Sequence, residues 1–197
     1  MKKLLLLLAF TLNFSAYCQW EPQQSGVTTS LNDVYCISEN TVVVVGDFGV
    51  ILKTTDGGAH WISKNSPTTE HIIKVQFADA NFGFAITSTG TVLKTTDAGE
   101  TWTSTSSING NYYGSLSCIN QNIIFTSTNE LKKSIDGGQT FTTISAPAGI
   151  FSIQFLNEQT GYISCQSGFY KTIDGGTNWI SMSNFYPDSF FFMNENI

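Results

Sequence analysis

Arginine is absent from the 197-residue sequence, and only 12% of the residues are charged. A chain without arginine cannot build the bidentate arginine clamp that many proteins use for carboxylates and phosphates. The formal net charge of −6 argues against nucleic acid or an anionic membrane surface as a partner. Long helical patterns are also missing, whereas apolar residues make up 41% of the chain, enough for a packed core. The lack of helical patterns, in a chain with enough apolar residues for a core, indicates an all-β domain.

Histidine and cysteine are scarce, with two and four copies. His60 and His71 are isolated in the sequence, and no Cys/His spacing resembles a metal site, so we expect no metal and no cofactor. Cys36, Cys118 and Cys165 are interpreted as buried thiols.

The first eighteen residues have the three parts of a secretory signal peptide: two lysines, an apolar run and a short segment ending at Cys18. Cleavage after Cys18 would leave residues 19–197 as an exported chain, secreted, periplasmic or on the cell surface. A lipoprotein acylated at Cys18 is the alternative. The apolar run is too short to span a bilayer, so no membrane span is expected.

A motif repeated four times organises the rest of the chain. Its template is Ser/Thr-x-Asp-x-Gly-x-x-aromatic, and successive aspartates are 41, 39 and 38 residues apart. Each copy lies between apolar runs and so predicts the turn of a β-hairpin, in which the aspartate accepts backbone N–H bonds and the glycine supplies a positive φ. The aromatic ring is expected to fold back and be buried. We therefore assign a structural role to Asp56, Gly58 and Trp61; Asp97, Gly99 and Trp102; Asp136, Gly138 and Phe141; and Asp174, Gly176 and Trp179.

Four short strand-like runs per repeat, at a period near 40 residues, are typical of a β-propeller blade. The sequence therefore predicts four-stranded antiparallel blades with the motif between the third and fourth strands. The expected blades cover residues 31–65, 70–106, 112–145 and 148–183, and the fourth strand of the second blade is expected at residues 101–105.

The flanking segments fit the same repeat. Residues 20–24 have the spacing of an outer strand, and residues 188–197 match the start of a fifth inner strand. Because neither segment supplies middle strands, the sequence favours an incomplete propeller, with a four-bladed protein with frayed ends as the alternative. Open blade edges would then favour self-association.

The four motifs resemble the bacterial neuraminidase repeat, or Asp box. Gly83-Phe84-Ala85 and Gly161-Tyr162-Ile163 in strand two, with Leu-Lys-Thr-Thr-Asp-x-Gly in strand three, are similar to the photosystem II assembly/stability factor-like and sortilin-type propellers. The resemblance covers nearly all of residues 20–197 and implies the fold. A role in photosystem assembly is not implied, because that family's arginine-lined surface has no counterpart here. The same lack of arginine argues against sialidase chemistry.

For function, the sequence favours an exported, non-catalytic interaction module that binds protein or glycan through the loop face opposite the Asp boxes. We expect no catalytic residue, because the acids outside the motif form no recurrent pair. The candidate binding residues are Asp47, Phe48, Asn109, Tyr112, Tyr113, Phe185 and Tyr186. Core packing at blade edges is the competing interpretation of these aromatic rings. The alternative functions are a glycoside hydrolase of the xyloglucanase-like propeller type, with paired acids, and a structural segment of a larger adhesin or surface protein.

Overall fold

The computed structural model describes residues 22–108, 114–127 and 130–193. Sixteen strands in these ranges form four separate antiparallel sheets, each with its strands in sequential order. The predicted Asn109, Tyr112 and Tyr113, and the whole signal segment, lie outside the described residues. The four sheets are the blades of an all-β propeller, and their number is consistent with an incomplete one.

We name the sheets blades A to D in chain order. Blade A contains β1 (Leu31–Cys36), β2 (Val42–Gly46), β3 (Ile51–Thr54) and β4 (Ile62–Ser63). Blade B contains β5 (Ile72–Phe77), β6 (Gly83–Thr87), β7 (Thr91–Thr95) and β8 (Thr103–Ser107). Blade C contains β9 (Ser115–Cys118), β10 (Ile124–Ser127), β11 (Leu131–Ser134) and β12 (Thr142–Ile144). Blade D contains β13 (Ile150–Phe155), β14 (Gly161–Cys165), β15 (Gly168–Thr172) and β16 (Ile180–Ser183).

The first strand of each blade lies beside the first strand of the next, so β1, β5, β9 and β13 are the inner strands. A side chain on each inner strand accepts a hydrogen bond from the backbone of the following one. These bonds run from Val75 N to Asp33 Oδ2 (2.9 Å), from Cys118 N to Gln76 Oε1 (2.8 Å) and from Phe155 N to Ser117 Oγ (2.8 Å). Polar inner-strand residues therefore fix the register between blades.

Apolar side chains fill the space between neighbouring blades. Val43 and Ile51 of blade A pack in one cluster with Val75, Ala85 and Leu93 of blade B, all of them buried. Equivalent clusters join blades B and C around Phe84, and blades C and D around Phe125. Burying a side chain of this size contributes about 1.5–3 kcal/mol, so the blade interfaces stabilise the stack.

Residues outside the four sheets continue the same pattern. Gln23 packs on the Asp-box turn of blade A, where its Oε1 accepts a hydrogen bond from Trp61 Nε1 (3.2 Å) and its Nε2 donates to Gly57 O (3.3 Å). In the equivalent turn of blade C, Gly138 O accepts a hydrogen bond from Ser106 Oγ (2.6 Å), which belongs to the outer strand of blade B. Gln23 thus takes the place that an outer strand of a preceding blade would take.

One cysteine departs from its predicted environment. Cys165 is buried and Cys118 is half-buried, whereas Cys36 is exposed, and none of the three is in a disulfide. Cys36 belongs to the inner strand of the first blade, so no described blade precedes it to cover its side of the sheet. The prediction of a buried thiol is wrong at this position.

Candidate functional site

The two ends of the blade stack differ in what they carry. At one end, the turns between strands one and two bind the Asp-box turns: Asn40 O accepts Gly57 N (3.0 Å) and Asn122 O accepts Gly137 N (2.9 Å). At the other end, loops between strands two and three meet the connections between blades, as in the bond from Gln166 N to Gly149 O (3.1 Å). We call these the Asp-box end and the loop end.

Each Asp box is held by a closed set of hydrogen bonds. In blade C, Asp136 Oδ1 accepts from Ser134 Oγ (2.8 Å) and Thr140 N (2.9 Å), while Ser134 Oγ accepts from Gly138 N (2.9 Å). The same bonds recur in the other three boxes. Bonds from Thr140 lower the pKa of Asp136 to about 2. The Asp-box carboxylates therefore accept hydrogen bonds within their own turns, as a structural role requires.

The aromatic residues of the boxes are less uniform than predicted. Trp102 is 6% exposed and lies edge-on to Phe77, with ring centroids 6.0 Å apart. Trp61, Phe141 and Trp179 are only half-buried. Gly83 lies under the Phe77 ring so closely that a Cβ there would be 2.7 Å from it, which explains why the Gly-aromatic pair of strand two accompanies the motif.

The loop end carries the candidate binding residues that the structure describes. Asp47 and Phe48 belong to a short 3-10 turn (Asp47–Gly49) between β2 and β3, next to the blade A–B junction. Phe185 and Tyr186 follow β16 at blade D, and Phe185 is 75% exposed. The Tyr186 ring is tilted against Phe151, with centroids 5.9 Å apart. The predicted aromatic residues that the structure describes therefore lie at two places on the loop end: Phe48 on blade A, and Phe185 with Tyr186 on blade D.

Phe48 has an unusual backbone conformation. Its φ of 58° and ψ of 31° lie in the left-handed region, which a bulky residue adopts at a cost of about 1–2 kcal/mol. Its side chain is nevertheless 66% exposed, so burial does not repay that cost. The ring lies 5.1 Å from the His71 ring, at an angle of 53°. The fold therefore presents this ring to solvent at a conformational cost.

Asp47 anchors the turn that carries Phe48. Its Oδ1 accepts from Asn32 Nδ2 (2.9 Å) and lies 2.9 Å from His71 Nδ1. The Asn32 bond, and after it His71, hold the pKa of Asp47 below its ordinary value. Both histidines therefore have a carboxylate partner: His71 lies beside Asp47, and His60 beside Asp56 at 2.7 Å.

A groove of about 410 Å³ adjoins this turn, lined by the connection from Ser66 to Glu70 between blades A and B. Gly49 lies so close to this connection that a side chain there would collide with the carbonyl oxygen of Thr68. Glu70, at the end of the groove, accepts hydrogen bonds from Thr87 Oγ1 and Thr89 Oγ1. These bonds lower the pKa of Glu70. We call Asp47, Phe48, His71 and the connection 66–70 the Phe48 site.

Sequence reasoning missed Asn32 and His71 as parts of this site. Asn32 also donates to Ile72 O at 3.0 Å, which ties blade A to blade B. These residues come from separate stretches that only blade packing brings together, so no local motif marks them. The sequence signal that was available is Asp47-Phe48 itself, a bulky apolar residue in a short loop before a glycine.

Within residues 22–108, 114–127 and 130–193, no three His, Cys, Asp or Glu side chains come together as a metal site. The same ranges contain no helix that is long and apolar enough to cross a membrane.

Comparison with known proteins agrees with this architecture. The family model described as "Photosynthesis system II assembly factor YCF48" matches residues 12–109. A search of curated protein sequences finds no match. Many solved structures are similar to the chain. One is YCF48 bound to D1 peptide, with a TM-score of 0.66 and 20% identity over 83% of this chain and 57% of that one.

Two further structures show how widely the fold is used. An ancestral GH74 enzyme has a TM-score of 0.64 and 19% identity, over 85% of this chain and 26% of the enzyme. The computationally designed Ika4 protein has a TM-score of 0.62 and 14% identity, over 79% of this chain and all of Ika4. At these identities the likeness establishes the fold alone. The chain spans just over half of the YCF48 structure and about a quarter of the GH74 enzyme.

Proposed function

Because this chain is an Asp-box β-propeller protein that resembles the photosystem II assembly factor family, we propose that it is a protein-binding module. The site we assign is the Phe48 site at the loop end, and its ligand is an extended peptide segment of a partner protein. The observation that carries the proposal is Phe48 itself, an exposed aromatic residue kept in a left-handed conformation. Strain of this kind gathers at binding sites, where it is part of how a contact group is presented.

The neighbouring groups suit a peptide. The groove is lined by residues 66–70, and the turn that carries Phe48 approaches this connection at Gly49. Backbone and hydroxyl groups in such a loop can bond to a main chain. Aromatic residues are enriched among those that dominate binding energy at protein interfaces. The YCF48 structure, which shares this fold, holds a peptide, and we extend that property to this chain as part of the proposal.

The experiment is a selection from a phage-displayed library of linear peptides, followed by anisotropy titration of the selected peptide. We expect Phe48→Ala to weaken binding about thirtyfold, as for an aromatic hot spot of about 2 kcal/mol. Ile173→Ala is the matched control, since Ile173 is 60% exposed at the Asp-box end. Equal affinity of both variants for the peptide would refute the assignment to Phe48.

We also propose that the module is non-catalytic. Asp33 and Asp47, two of the described acids at the junction of blades A and B, are both engaged within the fold: Asp33 accepts from Val75 N and faces Lys74 at 3.7 Å, and Asp47 is held by Asn32. Hydrolysis of an aryl glycoside or a xyloglucan oligosaccharide by the purified chain, lost in Asp47→Asn, would overturn this part.

Export is the remaining part of the proposal. The first eighteen residues support it through their signal-peptide pattern. Mass spectrometry of the protein isolated from its own cells should find an N-terminus at Gln19. An N-terminus at Met1, or a lipid mass on Cys18, would replace this assignment.

A further inference from the structure

The lysines in the described part of the chain are already partnered within it. Lys53 and Lys64 bind Glu100, Lys74 faces Asp33, and Lys132 binds Glu130. Lys94, Lys133 and Lys171 lie over the rings of Phe84, Phe125 and Tyr162, at 5.1–5.5 Å. With arginine absent from the sequence, every lysine that the structure describes has an intramolecular contact. An anionic partner would therefore have to compete for these cations.

The Phe48 site carries two carboxylates, which accept hydrogen bonds from the uncharged side chains of Asn32, Thr87 and Thr89, while Asp47 also faces His71. Asp47 immediately precedes Phe48 in the chain, and its side chain is 27% exposed. Glu70 precedes His71, whose ring touches that of Phe48. Hydrogen bonds lower the pKa of both carboxyl groups, chiefly those from Asn32 to Asp47 and from Thr87 to Glu70. The site thus carries one carboxylate on the residue before Phe48 and a second at the end of the connection 66–70, which the Phe48 turn touches at Gly49.

This combination has a specific chemical preference. The face of an aromatic ring attracts a cation that lies within about 6 Å of its centre. A carboxylate beside the ring adds electrostatic attraction to the same cation. A partner carboxylate at this place would instead meet like charges, which suppress the wrong partner.

We propose that the segment bound at the Phe48 site carries a lysine or arginine, whose cation lies over the Phe48 ring and is attracted by the carboxylates of Asp47 and Glu70. This inference rests on the proposed peptide-binding function and specifies its ligand. The partner is thus a basic, extended protein segment, complementary to a chain with a net charge of −6.

The test uses three synthetic peptides of alternating residues: phenylalanine with lysine, with glutamine and with glutamate. Titration of the labelled peptides into the whole chain should give an affinity for the lysine peptide about tenfold above that for the glutamine peptide, and the weakest binding for the glutamate peptide. Most of the lysine preference should disappear in ~1 M salt, where the screening length is about 3 Å.

Two variants locate the preference. The double variant Asp47→Asn, Glu70→Gln should abolish the difference between lysine and glutamine peptides, whereas Glu158→Gln, an exposed acid near the Asp-box end, should preserve it. Circular dichroism and a melting curve establish that each variant is folded. If the double variant is unfolded, Phe48→Leu serves in its place, because leucine keeps an apolar contact and loses the ring face.

The outcomes separate this inference from the function beneath it. Equal affinity for the three peptides, or tighter binding of the glutamate peptide, would overturn the cation assignment. If library-selected peptides still depended on Phe48, the proposed function would stand. Lack of binding by the lysine peptide would also overturn the inference, whatever the library selection yields.

Discussion

The side-chain carboxamide of Gln154 makes two hydrogen bonds to the backbone of Phe192. Phe192 N donates to Gln154 Oε1, and Gln154 Nε2 donates to Phe192 O, both at 2.8 Å. Gln76 accepts from Cys118 N in the same way, between the inner strands of blades B and C. Phe192 therefore lies where the inner strand of a fifth blade would lie, and its ring stacks on Tyr162 with centroids 4.3 Å apart.

Gln154→Ala should release this segment while blades A to D stay folded. Each hydrogen bond contributes about 1 kcal/mol, so loss of both should make local opening about thirtyfold more frequent. Hydrogen exchange read at the Phe192 amide is the measurement. Gln159→Ala, an exposed glutamine at the Asp-box end, is the control. Unchanged exchange at Phe192 would mean that ring stacking alone holds the segment.

The sequence was sufficient for the Asp boxes because their bonds join near neighbours. Ser134, Asp136, Gly138 and Thr140 lie within seven residues of one another, so a motif records the whole turn. The same bonds explain a boundary that was wrong: β8 begins at Thr103 and not at residue 101, because the backbone N and the hydroxyl of Thr101 are both bound to Asp97.

The Phe48 site could be predicted only in part. Asp47 and Phe48 are consecutive, but Asn32 is 15 residues from Asp47 and contacts Ile72 40 residues away. Such contacts depend on how blade A packs against blade B. The spacing of apolar residues along the sequence predicts the blades but does not specify this packing. The exposure of Cys36 was missed for the same reason, since it depends on which blade has a neighbour.

Acid should weaken the fold through the Asp boxes. Bonds from Thr140 lower the pKa of Asp136 to about 2, and bonds from His60 lower that of Asp56 to about 2, against an ordinary value of about 3.9 in an unfolded chain. A carboxyl group with a lowered folded-state pKa stabilises the fold above its unfolded pKa, and this is lost as pH falls towards the folded value. We therefore expect the melting temperature to fall between about pH 4 and pH 2.

Asp136→Asn tests the origin of that acid sensitivity. The variant should melt at a lower temperature at neutral pH, because the amide nitrogen of asparagine cannot accept the hydrogen bond that Thr140 Oγ1 donates to Asp136 Oδ2. Its melting temperature should also change less on acidification. Asp188→Asn, an exposed carboxylate at the loop end, should keep the wild-type pH profile. Parallel profiles for all three proteins would place the acid sensitivity elsewhere.

Ala98 is the one box residue at its position that is not glycine, and replacing it should stabilise the protein. Its φ of 59° matches the 71–73° of Gly57, Gly137 and Gly175 in the other boxes. An L-residue with a Cβ costs about 1 kcal/mol in that region, so Ala98→Gly should raise the free energy of unfolding by about that amount. Denaturant titration measures it. Ala59→Gly, in a box turn without positive φ, should give no gain, and a loss in Ala98→Gly would contradict the strain.

Phe48→Gly should separate stability from binding. Glycine adopts the observed φ of 58° without the Cβ clash, so we expect the free energy of unfolding to rise by about 1 kcal/mol. Phe48→Ala keeps the Cβ and should gain less. Binding of a library-selected peptide should fall in both, because both lack the ring.

Phe185→Gly is the control that shows whether the stability gain in Phe48→Gly comes from the left-handed backbone. Phe185 is as exposed as Phe48, at 75% against 66%, but it does not have a positive φ. Its replacement should not stabilise the chain, because no left-handed strain is relieved and glycine adds freedom to the unfolded state. If Phe48→Gly instead destabilised the protein while peptide binding persisted, the ring would be a packing element of the blade A–B junction, and the strain would serve the fold. A gain in stability with a loss of binding means that the protein keeps a costly backbone conformation for the contact it makes there.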